Sequence, residues 1–298
     1  MKSAITASLV IFIFVLKISA QASITILTEG KARIWVNDVF WGITDDEGKI
    51  TLRNLPVGIK RLRVRATGFK EINTLIRPTS GKELKISLTK TDDKAELAFQ
   101  QAEDLVSSDK KKAMELYQQA ISLNPKRAEF YVGLARVLLD QGEYEEALEA
   151  ISKARKIRPI YPEASAVEGR IYRADNNQEK AIELFQRAIR EGGGFQPEAH
   201  TGLGLLYQER AEESASEGDF QQERKNYDLA AYHLKKAIEQ LAGAPDAIVI
   251  YQLLGIIYER QEKYTEAVKL YEEFLRKFPD SNEREMFESF ITQIKKRM

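Results

Sequence analysis

The residue types that most often do chemistry are scarce in this sequence: there is no cysteine, and the histidines are His200 and His233. Thiol catalysis, disulfides and thiolate metal sites are therefore excluded. Each histidine stands isolated in a stretch of helical pattern, so both are expected to be ordinary packing or surface residues rather than parts of a metal cluster. The run Asp45-Asp46-Glu47 could collect a calcium ion, but three adjacent acids followed by Gly48 read first as a solvated turn between strands. Gly192-Gly193-Gly194 follows a helical pattern rather than a strand and no Gly-Lys-Ser or Gly-Lys-Thr comes after it, which makes it a flexible helix end and not a phosphate loop. No Gly-x-Ser-x-Gly is present. The expectation is a chain with no catalytic residue, no cofactor and no metal site.

Binding chemistry is better represented, mainly by arginine. Arg61, Arg63 and Arg65 alternate with Leu62 and Val64, which predicts a cationic ladder on the outer face of a sheet, either a solubilising surface or one that meets an anionic polymer or an acidic protein. Residues 23–89 carry 12 basic and 7 acidic side chains and residues 90–298 carry 31 and 38, so the two halves have opposite signs that favour docking on each other. Over the whole chain 45 basic residues balance 45 acidic ones, which argues against a general nucleic-acid or membrane-surface binder.

The elements that must position these groups change character along the chain. Lys2, the apolar run Ala7–Leu16 and Ala20-Gln21-Ala22 have the order of an export signal over 1–22, with cleavage before Ser23. Retention as an anchor is the competing reading, although Lys17 ends the apolar run short of a membrane span. No other long apolar run follows. From Ser23 to about residue 90, Ser23–Leu27, Ala32–Val36, Lys49–Leu52, Arg61–Arg65 and Glu83–Leu88 alternate at period two between turn clusters, which predicts a β-sandwich of six or seven short strands. Thr44–Leu52, Asn54-Leu55-Pro56-Val57-Gly58 and Thr67-Gly68-Phe69 resemble the carboxypeptidase regulatory-like domain, while Ala32–Asp38 with Trp41-Gly42 resembles the PEGA domain. That resemblance implies an accessory module without catalytic residues of its own.

From residue 91 the period becomes helical and repeats every 34 residues. One unit runs from Ala128 to Tyr161 with Tyr131, Ala135, Gly142, Tyr144, Ala147, Ala154 and Pro159. The next places Gly169, Tyr172, Ala181, Phe185 and Ala188 at the same offsets, and the last supplies Tyr251, Gly255, Tyr258, Tyr264, Ala267, Tyr271 and Pro279. This pattern resembles the tetratricopeptide repeat. The fold class is thus α+β multidomain: an N-terminal β-sandwich over 23–90, then an all-α right-handed solenoid of about five helical hairpins over 91–281, and a capping helix over 282–298. The second-helix signature of the fourth unit, Ala230, Leu234 and Ala237, arrives about 14 residues late. Both helices of that unit, about 197–244, are therefore expected to be about two turns longer, with the tip at Gly218.

The resemblance also implies a concave face lined by fixed first-helix offsets. Residue by residue these are Glu129, Val132, Arg136 and Leu139; Glu163, Ala166, Arg170 and Arg173; Glu198, Thr201, Leu205 and Gln208; and Val249, Gln252, Ile256 and Glu259. Arg136 and Arg170 share an offset, with Arg173 one turn along, and paired guanidinium groups suit a carboxylate. Arg136, Arg170, Arg173, Leu205, Gln252 and Ile256 are the candidate partner-binding residues, and the partner expected is a protein or peptide of acidic character. A solvated face neutralised by Glu129 and Glu163 is the competing reading. The function expected is an exported scaffold or adaptor, periplasmic or extracellular, in a cell-envelope assembly. The alternatives are a structural stalk whose groove is filled by its own β module, and a regulatory subunit of an exported enzyme.

Overall fold

Alternating apolar and polar residues form a strand wherever another layer can cover the apolar side, and two such layers make a core. The computed structural model describes residues 21–298. Its first part is seven strands: β1 (Gln21–Leu27), β2 (Arg33–Val36), β3 (Val39–Ile43), β4 (Lys49–Pro56), β5 (Lys60–Arg65), β6 (Ile72–Ile76) and β7 (Lys82–Lys85). They pair as two sheets, β4-β1-β7 and β3-β2-β5-β6. β1 and β7 run parallel. Ile24, Ile26, Ile34, Val36, Trp41, Leu52, Leu62 and Val64 are buried, one member of each alternation. β3 and β6 are two strands that the pattern did not single out. β3 returns from β2 through Asn37-Asp38, whose φ values of 50° and 64° are those of a tight hairpin turn that matches strand twist. β1 begins two residues before the expected mature start, with Ala22 opposite Leu55. The rest of the expected signal, 1–20, lies outside the described residues.

The second part is helical: α1 (Lys94–Leu105), α2 (Lys110–Leu123), α3 (Ala128–Gln141), α4 (Tyr144–Ile157), α5 (Pro162–Ala174), α6 (Gln178–Glu191), α7 (Pro197–Ser216), α8 (Phe220–Leu241), α9 (Ala247–Arg260), α10 (Tyr264–Lys277) and α11 (Arg284–Lys295). Helix starts are marked by Asp93, Asp109, Asn177 and Asp219, whose side chains accept from backbone N–H groups of the first turn. Pro162 and Pro197 occupy first-turn positions that need no donor. Ten helices form five antiparallel hairpins, with α11 closing the stack as the expected cap. There Phe287 lies on Phe274 with ring centres 3.7 Å apart. The fourth hairpin has helices of 20 and 22 residues where α3 and α4 have 14. Gly218, at φ 79°, forms its tip as expected. None of the helices among the described residues is long and apolar enough to cross a membrane.

The two parts are docked. Arg65 pairs with Glu71 on its own sheet and with Glu103 of α1, and its guanidinium lies 4.6 Å from the centre of the Phe99 ring. Arg33 reaches Asp104 at 2.8 Å and the Glu103 carbonyl. Gln100 accepts from the Gly68 N–H at 2.9 Å and donates to the Phe69 carbonyl at 2.8 Å. The predicted ladder is therefore corrected. Arg61 is exposed beside Asp38, Arg63 lies over Trp35, and Arg65 is 5% exposed beneath α1, because acidic side chains on α1 meet that end of the sheet. At the other end of the array, Asn54 donates to the Lys277 carbonyl at 2.7 Å and Arg53 pairs with Asp280. The sandwich interior and hairpins four and five belong to one continuous cluster of buried residues.

Candidate functional site

First helices of successive hairpins lie side by side, α3 against α5 and α5 against α7. Residues at repeated offsets therefore face one another, as the hairpin stack requires. Arg136 of α3 and Arg170 of α5 do converge, and what they converge on is Glu198 of α7. Arg136 grips both oxygens of that carboxylate, at 2.8 and 2.7 Å, and also reaches Glu163 at 3.2 Å. Arg170 adds a third bond at 3.1 Å. Burial works to raise the Glu198 carboxyl, but Arg136 and then Arg170 outweigh it and hold the group at about 2. The same two carboxylates raise Arg136 against its own loss of solvation.

Arg173 is likewise committed, to Glu209 at 2.5 Å. Glu163 belongs to the network, whereas Glu129 turns to Arg158 at 2.7 Å. The face is therefore neutralised, chiefly by Glu198, and its arginines already hold carboxylates of their own chain. Spacing alone brought the two arginines together correctly. The carboxylate between them sits 62 and 28 residues further along, at the opposite end of the offset pattern, and only its place in the stack selects it.

The remaining candidates sit at the other end of the array. Val132, Leu139 and Ala166 are buried between helices, and Leu205 is partly covered. On α9, by contrast, Val249 is 56% exposed and Ile256 is 47% exposed, one on each side of Gln252, whose amide faces the Met286 sulfur at 3.9 Å. At spacings of three and four these residues make one open apolar stripe on the inner side of hairpin five. Asp246 continues that stripe one turn towards the start of α9.

Comparison with known proteins follows the same boundaries. A tetratricopeptide repeat family model matches residues 108–171 and, overlapping them, 138–206; a second of the same description matches 249–281. Over those residues the helical hairpins match the tetratricopeptide repeat. These matches leave the β-sandwich aside. Anaphase-promoting complex subunit 3 of Schizosaccharomyces pombe is 26% identical over 197 residues, 60% of this chain and 27% of that protein. Cellulose synthase operon protein C of Pseudomonas fluorescens is 36% identical over 83 residues, 28% of this chain and 6% of that protein. The matched segments thus span about a quarter or less of those relatives. The crystal structure of yeast Tom70 superposes with a TM-score of 0.53 at 17% identity, over 69% of this chain and 40% of that one, a likeness of fold.

The tetratricopeptide frame also explains what became of the other chemistry-bearing residues. His200 and His233, read as isolated, are brought together by the long fourth repeat, with their Nδ1 atoms 3.0 Å apart. Their ring centres are 5.3 Å apart, a separation reached only when both nitrogens lie nearly on the line between the centres. That is the geometry of one ring N–H donating to the other ring's lone pair, not of two lone pairs converging on a metal. No group of three or more metal-ligating side chains occurs among the described residues. Burial lowers both rings, His233 to about 4, with His200 adding to the effect. The glycine run ends α6 as expected, and Gln240 bridges the turn that follows, accepting from the Gln196 N–H and donating to the Gly194 carbonyl, both at 2.8 Å. In the β module, Asp45 accepts from the Glu47 and Lys49 N–H groups and Asp46 pairs with Lys31 at 3.3 Å, so these acids shape a turn.

Proposed function

We propose that the chain is an exported, non-enzymatic scaffold that holds a polypeptide partner on the inner face of its last two tetratricopeptide repeats. The observation that carries this reading is the exposure of Val249 and Ile256. Arrays of this kind present extended concave surfaces to partners, and here the inner side chains of the middle repeats are spent on Arg136, Arg170 and Glu198. The apolar area left open lies on α9, where a partner's side chains gain by leaving water. The signal pattern in residues 1–22 supports export to the periplasm or beyond. The similarity to a cellulose synthase operon protein supports work in a cell-envelope assembly.

The test is site-specific photocrosslinking in cells, with the probe at Gln252 or Ile256 and, as control, at Tyr232, which is exposed on the second helix α8. A discrete polypeptide adduct from α9 and none from Tyr232 is expected. The absence of an adduct at both α9 positions refutes the reading. Export is tested separately by sequencing the chain's N-terminus: a start between residues 21 and 23 in an envelope fraction supports it, and an intact Met1 in the cytosol overturns it.

One observation favours the stalk reading in part. By alignment of Ala102 with Ala135, Glu96, Phe99 and Glu103 occupy the inner offsets of the first repeat, and Arg65 of the β module sits on Phe99 and Glu103. The chain's own module therefore takes the inner face of repeat one. Repeats four and five also touch the module, through Asn54 and a shared buried cluster, but Val249 and Ile256 on α9 stay exposed and open to a partner.

A further inference from the structure

The structure also bears on what kind of segment the open end would take, an inference that rests on the reading of α9 as the binding face. We propose that the segment is amphipathic and cationic at one end, with apolar side chains on Val249 and Ile256 and a lysine or arginine on Asp246. The sign is the reverse of the one expected from the arginine spacing, and the reason is pairing. Arg136, Arg170 and Arg173 each hold a carboxylate of the chain itself, so none is left to receive one from outside. Asp246 is exposed at the start of α9 and makes no ion pair among the described residues, on the same stripe as Val249 and Ile256. Partial loss of water around its carboxyl at the start of α9 raises it, and the charge of Glu198, the counterpart of Val249 in the preceding repeat, raises it further. Asp246 is thus an acid at the start of the apolar stripe with no ion pair among the described residues, and a cation placed there relieves its charge. Arg260, exposed at the far end of α9, fixes the polarity: the cation belongs at the Asp246 end.

The β module supplies an internal example of the same chemistry. Arg65 rests on Phe99 and pairs with Glu103 at the inner offsets of repeat one, and Arg33 pairs with Asp104 beside it. An arginine with an aromatic or aliphatic floor and a carboxylate at its side is how this array already holds one basic segment. Asp246 with Val249 and Ile256 offers a similar set, a carboxylate beside an exposed aliphatic floor.

The experiment uses the chain from residue 21 to 298 and two labelled synthetic helical peptides of about four turns with identical leucine spacing. One carries two lysines at its end and the other two glutamates, and binding is read by fluorescence anisotropy. The lysine peptide is expected to bind about tenfold more tightly, with the gap narrowing as salt is raised. Asp246→Asn should remove most of that gap, and Val249→Ser with Ile256→Ser should abolish binding while circular dichroism stays unchanged. If the glutamate peptide binds as well or better and the serine variant abolishes it, the binding face stands and its cationic preference falls. If the lysine peptide binds and ignores both the Asn and the Ser variants, it is held elsewhere on an acidic surface and the proposal falls. If neither peptide binds, both the proposal and the reading of the face are overturned.

Discussion

Two guanidinium groups share one carboxylate at the centre of the array, so Glu198 is the side chain whose loss should be felt across three repeats. Glu198→Gln leaves Arg136 and Arg170 partly buried without their main partner, and we expect a loss of about 1–3 kcal/mol in urea denaturation. Arg136→Glu with Arg170→Glu should likewise lower stability, so that pair reports on folding rather than on partner binding. Acid sensitivity follows from the same carboxylate. It titrates at about 2 in the folded chain against an ordinary 4.5, so its stabilisation is complete above about 4.5 and is lost as pH falls towards 2. His233 works in a separate window. Burial holds it at about 4, so between about 6.5 and 4 the unfolded chain takes up the proton first and stability declines as pH falls, levelling below. His233→Gln should flatten denaturation midpoints between pH 6.5 and 4 and leave the slope below pH 4 intact. An unchanged slope in the upper window would exclude His233 as its cause.

At the level of elements, closeness of approach is set by small residues, and Gly255 shows it most directly. A Cβ there would stand on the ring and hydroxyl of Tyr271, which packs against α9 and donates to Glu259 at 3.1 Å. Alanine is favoured over glycine inside a helix by about 1 kcal/mol, yet Gly255→Ala should destabilise by about 1–3 kcal/mol, because the overlap with a buried tyrosine outweighs propensity. A thermal midpoint at or above that of the parent would show that α9 and α10 can part without cost. The fourth repeat makes the complementary point. Asp219 caps the start of its second helix, accepting from the Gln222 N–H at 3.0 Å, and the extra turns of the two helices are tied by Asn226, which is buried beside Ser214.

For the whole molecule, the decisive contact is Arg65. It joins a sheet to a helix that begins some thirty residues later in the chain, and breaking a buried ion pair of this kind costs about 3–5 kcal/mol, since its carboxylates are left uncompensated. Arg65→Ala should therefore lower stability by about 3 kcal/mol and speed hydrogen exchange in α1 and α2. Exchange in α5 and α6, which form the third hairpin, two along from the one that Arg65 holds, should change less. Uniform acceleration along the array would mean that the module does not hold the first repeat in place. Arg53 and Asp280, an exposed pair at the other junction, should contribute well under 1 kcal/mol. What holds that side is the buried cluster running from the sandwich into repeats four and five.

How much of this was legible beforehand depends on the range over which each feature is encoded. Hairpin number, the two-turn extension, the tip at Gly218 and the capping role of residues 284–295 were all readable, because a repeat writes the same local packing rule again every 34 residues. The strands β3 and β6 were missed for the converse reason: short alternations such as Val39–Ile43 and Ile72–Ile76 are strands mainly because β2 and β5 lie beside them. Offset arithmetic placed Arg136 beside Arg170 but could not choose Glu198 over Glu129, since pairing depends on side-chain reach between stacked helices. The same limit hid the meeting of His200 with His233, the burial of Arg65 under α1 and the lack of an ion pair for Asp246 among the described residues. Local periodicity determined the repeats and the sandwich; which charges met, and so which sign was left over for a partner, was decided only when residues far apart in the chain came to share a dielectric environment low enough for pairing to matter.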